Sequence, residues 1–570
     1  MPNISKDNES FGFVSNERSG TRGWLSRREL LRSAAGAVLG AAGAGLCSAV
    51  GARAQVQGTM AEGGTLPFRL PMGAMDHLDR NQYIHNMEIH SHLPDAGSIT
   101  VGGGEPLTTM WARGAQRLIP ASGGFIDISD GRKPVVVNKG LCKGFVSSVA
   151  YNTKLKKWIL INSAGSPITD PNPQYPHGQY DQEYRDRVVA FKGPKGIWNY
   201  DITDPTKPNL LELFSTGESG QGTHMNFYDG GQYAYLDCGW DDQLRMEGGE
   251  HPFSQALMIV DVSDPAHTKE VSRWWVPGQR LGEEAEYRKY PFAGDHAAWT
   301  SNHGGATVPK RVEDGGTIGY TGFGHFGMFI LDLSDIKHPK PIGRVTHPLE
   351  GMGGIPYHTV YPIISDAKHP HLQDLVIGVF ESLEPDCREP FHTSYVINVK
   401  DKRNPKIIGL FPRPAAPADA PYSDFCFARG RFSSHDIQSW LAPGLMRPEF
   451  VALTYFNAGI RIYDISDPTD PKEVAWFVPP RDGNMPEHGT VQDFNSWHRG
   501  TTENVFIEWD RNLIWVTTHE GLYCMSTPFL GKPILEPRKV QKWSVAHCNV
   551  GWDEQTPKSV YFGRPLSQMG

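Results

Sequence analysis

A phrase of β-branched and aromatic residues closed by an acidic turn recurs along the chain, and it constrains the fold more than any other feature. One copy reads Leu257-Met258-Ile259-Val260-Asp261-Val262-Ser263-Asp264-Pro265; related copies stand at 124–130, 197–205, 328–335, 395–401 and 460–468. A degenerate copy at 521–526 lacks the acidic end. The apolar residues suit a buried strand, and Ser/Thr-Asp-Pro closes it, because Asp bonds nearby backbone and Pro presets a turn. The repeated Asp residues are therefore expected to make turns rather than to catalyse. A second short strand follows each turn, as at 406–411 and 472–478. Copies spaced about 60 to 75 residues apart leave room for four-stranded units with long loops.

Seven such units predict an all-β chain, a seven-bladed β-propeller with long inter-strand loops. The composition agrees: 15 Trp and 20 Tyr favour strands, while 62 Gly and 44 Pro supply many turns. The stretch 87–94 is patterned like the outer strand at 343–348, so it is expected to complete the last blade and close the ring, removing an exposed edge. The domain plan is a signal peptide at 1–54, an extended segment at 55–83, the propeller at 84–535 and a C-terminal extension at 536–570 packed on it.

The N-terminus reads as an address. Arg27-Arg28 precedes a weakly apolar Ala/Gly-rich stretch at 33–50, and Ala52-Arg53-Ala54 supplies a small-x-small cleavage site. This is the pattern of a Tat signal, which exports folded proteins. The expectation is periplasmic localisation after cleavage near Ala54, with the Tat translocase as a transient partner and no membrane span in the mature form. No apolar stretch after residue 60 is long enough to cross a bilayer. A net charge of -8 without a basic run argues against nucleic acid as a partner.

Cleavage would leave six cysteines: Cys142, Cys238, Cys387, Cys426, Cys524 and Cys548. No CxxC pair occurs, which disfavours a cysteine-based zinc site. Disulfides are compatible with an oxidising compartment, but six cysteines allow about 15 full connectivities and the sequence does not choose among them.

The recurring phrases resemble those of the LVIVD-repeat family over about residues 120 to 525. The resemblance implies a β-propeller and implies little about activity, because propellers host many functions.

Histidines recur in one local frame before the first strand of several units: His224, His296, His358 and His435, with Glu503 in the same register of the seventh. The second unit offers Ser147 there. First strands line a propeller's channel, so these side chains are expected to converge as metal ligands. Four imidazoles and one carboxylate suit a transition metal, with Fe or Cu favoured and Zn possible, and do not suit Ca or Mg. The alternative is that they hydrogen-bond channel water or loops as part of the repeat. Nearer the phrase stand His325, Asn457 and His519, and an expanded loop in the fifth unit carries Glu384, Arg388 and His392. These would orient ligands or contact substrate, with His325, His519 and Glu384 the catalytic candidates, or else cap loops.

The arrangement is similar to the axial histidine-ligated metals of carotenoid cleavage oxygenases and of the selenium-binding protein/methanethiol oxidase family, whose own motifs this sequence does not carry. The expected function is a periplasmic metal-dependent enzyme, an oxidoreductase acting on a small organic substrate. The alternatives are a metal-dependent hydrolase or lyase on the same site and a non-catalytic docking platform. No phosphate loop, nucleophile elbow or HExxH helix supports other chemistries.

Overall fold

The computed structural model describes residues 81–94, 110–121, 124–138, 140–165, 189–244, 254–293, 298–346, 353–383, 387, 393–428, 430–480, 502–518, 520–544, 560–561 and 564–565. All of them fall in one compact unit, Gly58–Gly570. The expected signal peptide lies outside the described residues, as does nearly all of the segment at 55–83.

The fold is a seven-bladed β-propeller, each blade an antiparallel four-stranded sheet. Blade 1 runs through Trp111–Arg113, Gln116–Ala121, Gly124–Asp127 and Val135–Asn138. Blade 2 takes Phe145–Asn152, Lys157–Ala164, Gly196–Asp201 and Asn209–Ser215, and blade 3 takes Gly222–Phe227, Tyr233–Gly239, Ala256–Asp261 and Lys269–Trp274. Blade 4 comprises His303–Thr307, Ile318–Gly322, Met328–Asp332 and Lys340–Val345. Blade 5 comprises Ile355–Pro362, Leu375–Glu381, Tyr395–Asn398 and Lys406–Leu410.

The last two blades recruit the N-terminal strands. Glu88–Leu93 pairs with Gly521–Ser526 as the outer strand of blade 7, whose inner strands are Thr502–Glu508 and Leu513–Thr518. Tyr83–His85 pairs with Lys472–Val478 at the outer edge of blade 6, beyond Phe450–Thr454 and Ile460–Asp464. Its innermost position is held by irregular chain around Ile437, which bridges Leu453.

In blades 1 to 6 the strand formed by the repeated phrase ends in two Asx turns in series, whereas the degenerate copy of blade 7 lacks the acids that make them. The first acid or amide accepts the N–H two residues on: Ser263 N donates to Asp261 at 2.8 Å, and Lys400 N donates to Asn398 at 3.0 Å. The second does the same, as Ala266 N donates to Asp264 at 3.1 Å and Thr469 N to Asp467 at 3.0 Å. Turn-making accounts for the repeated acids.

Each turn leans on the blade before it. Gly343 and Gly409, on the outer strands of blades 4 and 5, leave room for this: a Cβ would stand 1.8 Å from Lys402 O and 2.1 Å from Pro468 O respectively. At the matching place in blade 3, Ser272 Oγ donates to Ile336 O at 2.8 Å.

Blades 7 and 1 are joined by buried charge. Arg117 pairs with Glu508 at 2.9 Å and Asp510 at 2.8 Å, while Arg511 also pairs with Glu508 and donates to Ile128 O at 2.8 Å. Burial alone would raise the Glu508 carboxyl, but the Arg511 and Arg117 charges outweigh it and hold it below its usual value. The C-terminal segment packs across the same seam, with Arg538 O accepting from Arg117 Nε at 3.0 Å and Leu535 O from Gly131 N at 2.7 Å.

Candidate metal centre

The first strands of neighbouring blades lie against one another, Gly222–Phe227 beside His303–Thr307 and His303–Thr307 beside Ile355–Pro362. Each is irregular where it pairs with its second strand: the register shifts between Thr223 and Asn226, His303 and Thr307, Ile355 and Thr359, and Thr502 and Asn504. An extra residue in one strand re-aims a side chain that regular alternation would bury in the sheet. His224, His358 and Glu503 all sit inside such shifts. The backbone there is unusual: Tyr357, beside His358, has φ 54°, and the matching stretch of blade 4 uses Gly304 and Gly305 at φ 81° and 65°.

The result is an arc of imidazoles. Ring centroids of His224 and His303 are 5.1 Å apart, those of His303 and His358 3.9 Å, and those of His358 and His435 4.9 Å. Within the arc one group is tight. His303, His358 and Glu381 are all buried and each offers a ligand atom within 4.8 Å of the others. His358 Nε2 lies 3.1 Å from Glu381 Oε2. His435 stands at the edge, its Nε2 3.9 Å from Glu381 Oε1 and its Nδ1 3.7 Å from Glu503 Oε2.

Electrostatics tune the group. Burial lowers His303 and holds His358 well below the usual imidazole value, so both rings favour the neutral, ligating form. Burial alone would raise Glu381, but His358 and Arg431 outweigh it and hold the carboxyl well below its usual range. Two further buried acids flank the arc. Asp237, which accepts from His224 N at 2.9 Å and Met225 N at 2.7 Å, is pushed up to about 7 by burial. Asp436, bonded by Asn504 Nδ2 at 2.9 Å, is pushed up to about 6 for the same reason.

Of the residues the sequence singled out, His224, His358, His435 and Glu503 are on this wall, and among the described residues only His358 belongs to the tight group. His296, Glu384, His519, Arg388 and His392 lie outside the described residues. The first strand of blade 4 begins at His303, and that imidazole joins the arc. His325 is buried in a short turn at Gly324–Phe326, where its Nδ1 accepts from Trp299 N at 2.9 Å and its ring packs against Phe292 at 5.8 Å. These contacts anchor a loop.

Sequence reasoning missed His303 and Glu381 for a common reason: neither obeys the repeat register. His303 pairs opposite Gly322, level with Ile355 opposite Glu381, so it sits near the start of its strand whereas His358 lies within the shift. Glu381 comes from a second strand. The available signal was a lone acid ending the otherwise apolar run Leu375-Val376-Ile377-Gly378-Val379-Phe380. Buried carboxylates are paired or ligating.

The blades and their inner wall thus define a β-propeller with a buried His/carboxylate centre. The LVIVD repeat family model matches residues 253–275 and 450–477, so the propeller carries LVIVD repeats in blades 3 and 6. No curated protein matches it. Among solved structures it is similar to the periplasmic gluconolactonase PpgL of Pseudomonas aeruginosa, at 10% identity and TM-score 0.41 over 80% of this chain and 98% of that one. It is also similar to the β-propeller domain of Cps50 (Swd1) from Myceliophteria thermophila, at 9% identity and TM-score 0.38 over 74% and 97%.

Proposed function

We propose that the protein is a metal-dependent enzyme, an oxidoreductase acting on a small organic substrate, with its ion held by His303, His358 and Glu381. The observation that carries this reading is the convergence of two buried imidazoles and one buried carboxylate within 4.8 Å. Two histidines and a carboxylate are the donor set of non-haem iron sites with open positions. A bound ion would polarise substrate or dioxygen. The chain's own residues do the rest: His303 and His358 are held neutral and Glu381 is held ionised. His224 and His435 flank the ion's position, near enough to contact a substrate or add a donor.

Periplasmic residence after Tat export belongs to the same proposal. It is supported by the twin arginine and by the Cys387–Cys426 disulfide, a bond that persists in oxidising compartments. Elemental analysis of the full chain purified from its native host tests the reading. Iron or copper near one ion per chain is expected. Zinc alone would redirect the site to hydrolase or lyase chemistry, and the absence of any transition metal would refute it.

A further inference from the structure

Resting on the metal centre proposed above, we infer that Arg431 is a positioning residue that confines Glu381 to a single ligand oxygen and so keeps coordination positions open for substrate. The two oxygens of Glu381 have different partners. Oε2 faces His358 Nε2 at 3.1 Å, on the side of the triad. Oε1 is bonded by Arg431 Nη1, which also donates to Ser382 O at 3.2 Å.

The guanidinium has little freedom to let go. Its side chain is buried, and its plane lies over the Phe456 ring at 4.0 Å, the same ring that stacks on His435 at 4.6 Å. Phe456 is itself fixed in a tight turn, at φ 32°, with Tyr455 N bonded to Gly459 O at 2.7 Å. A non-glycine residue in that conformation persists only where its surroundings over-determine it. The chain of contacts therefore runs from a strained turn through an aromatic face and a guanidinium to one carboxylate oxygen.

The consequence is one of ligand count. A carboxylate free to rotate can chelate an ion through both oxygens and fill a position that a substrate needs. With Oε1 engaged, Glu381 supplies one atom, and His303 and His358 supply one each. Partners outside the ligand set commonly change metal affinity by about 10–100-fold when removed. Arg431→Met releases Oε1; Arg431→Lys keeps a cation but loses the planar fork and its stack on Phe456.

The test is infrared difference spectroscopy of the full chain with and without cobalt(II), using Glu381→Gln to assign the carboxylate bands. In the wild type the antisymmetric and symmetric stretches of Glu381 should be widely separated, as for a one-oxygen ligand. In Arg431→Met the separation should narrow to that of a chelate. Should that variant fail to fold by circular dichroism, Arg431→Lys should show a narrowing too, with cobalt affinity changed by about tenfold. Uptake of cobalt with identical bands in wild type and variant would overturn the inference while leaving the centre standing. No uptake by the wild type would overturn both.

Discussion

His358 Nε2 stands 3.1 Å from Oε2 of Glu381, and the two side chains reach that point from different strands of one blade, His358 from the first and Glu381 from the end of the second. Ionised carboxylates are costly to bury unless charge or a ligand compensates. Here one oxygen meets an arginine and the other an imidazole, and the proposed cation would lie on the second side.

The seam between blades 7 and 1 depends on Arg117, which is fully buried between Glu508 and Asp510. Removing one partner of a buried pair leaves the other charge uncompensated. Arg117→Met should destabilise the protein by about 3–5 kcal/mol in urea unfolding. A change below 1 kcal/mol would mean the seam is held by packing instead.

The same seam sets an acid limb. Glu508 is held below its usual value in the folded protein, so its contribution is present above the unfolded carboxyl's pKa of about 4.3 and is lost as pH falls through the folded value. The stability gap between wild type and Glu508→Gln should therefore be constant from pH 7 to about 5 and shrink below about 4.3. Unfolding free energies measured across that range check the sign; a gap that grows on acidification would contradict it.

The disulfide Cys387–Cys426 closes a loop across 39 residues and links blade 5 to the segment entering blade 6. Chain-entropy reasoning assigns such a closure about 3–4 kcal/mol. Cys387→Ser with Cys426→Ser should lower the urea midpoint, and adding reductant should lower that of the wild type but not of the variant. Equal midpoints for all of them would show that the bond contributes nothing to stability.

Close approach of the blades makes Gly409 intolerant of a side chain, because a Cβ would meet Pro468 O at 2.1 Å. Gly409→Ala should cost about 1–3 kcal/mol through displacement of the blade 6 turn. Thermal melting reads it, and an unchanged midpoint would contradict the packing described.

The blades were legible in the sequence because their chemistry is local. Asp261 and Asp264 sit three residues apart and make their turns with neighbours, so the phrase declares strand and turn together. The candidate centre was legible only where it follows the repeat, as His358 does. His303 reaches the arc from another level of its strand, and Glu381 from a different strand altogether. Nothing local to either residue encodes that meeting; it arises from strand register and from the contact of neighbouring blades. The Cys387–Cys426 pairing was hidden for the same reason, since spacing alone does not choose a connectivity.

The proposed role of His303, His358 and Glu381 is to hold a metal ion. Its most direct test is metal titration of the full chain, comparing wild type with His303→Ala, His358→Ala and the loop-anchoring His325→Ala, each checked for folding by circular dichroism. About one ion per wild-type chain is expected, with a loss of affinity in the first two variants well beyond the roughly 10–100-fold seen for residues outside a ligand set, and near-wild-type binding in His325→Ala. Full occupancy in His358→Ala, or none in the wild type, would contradict it.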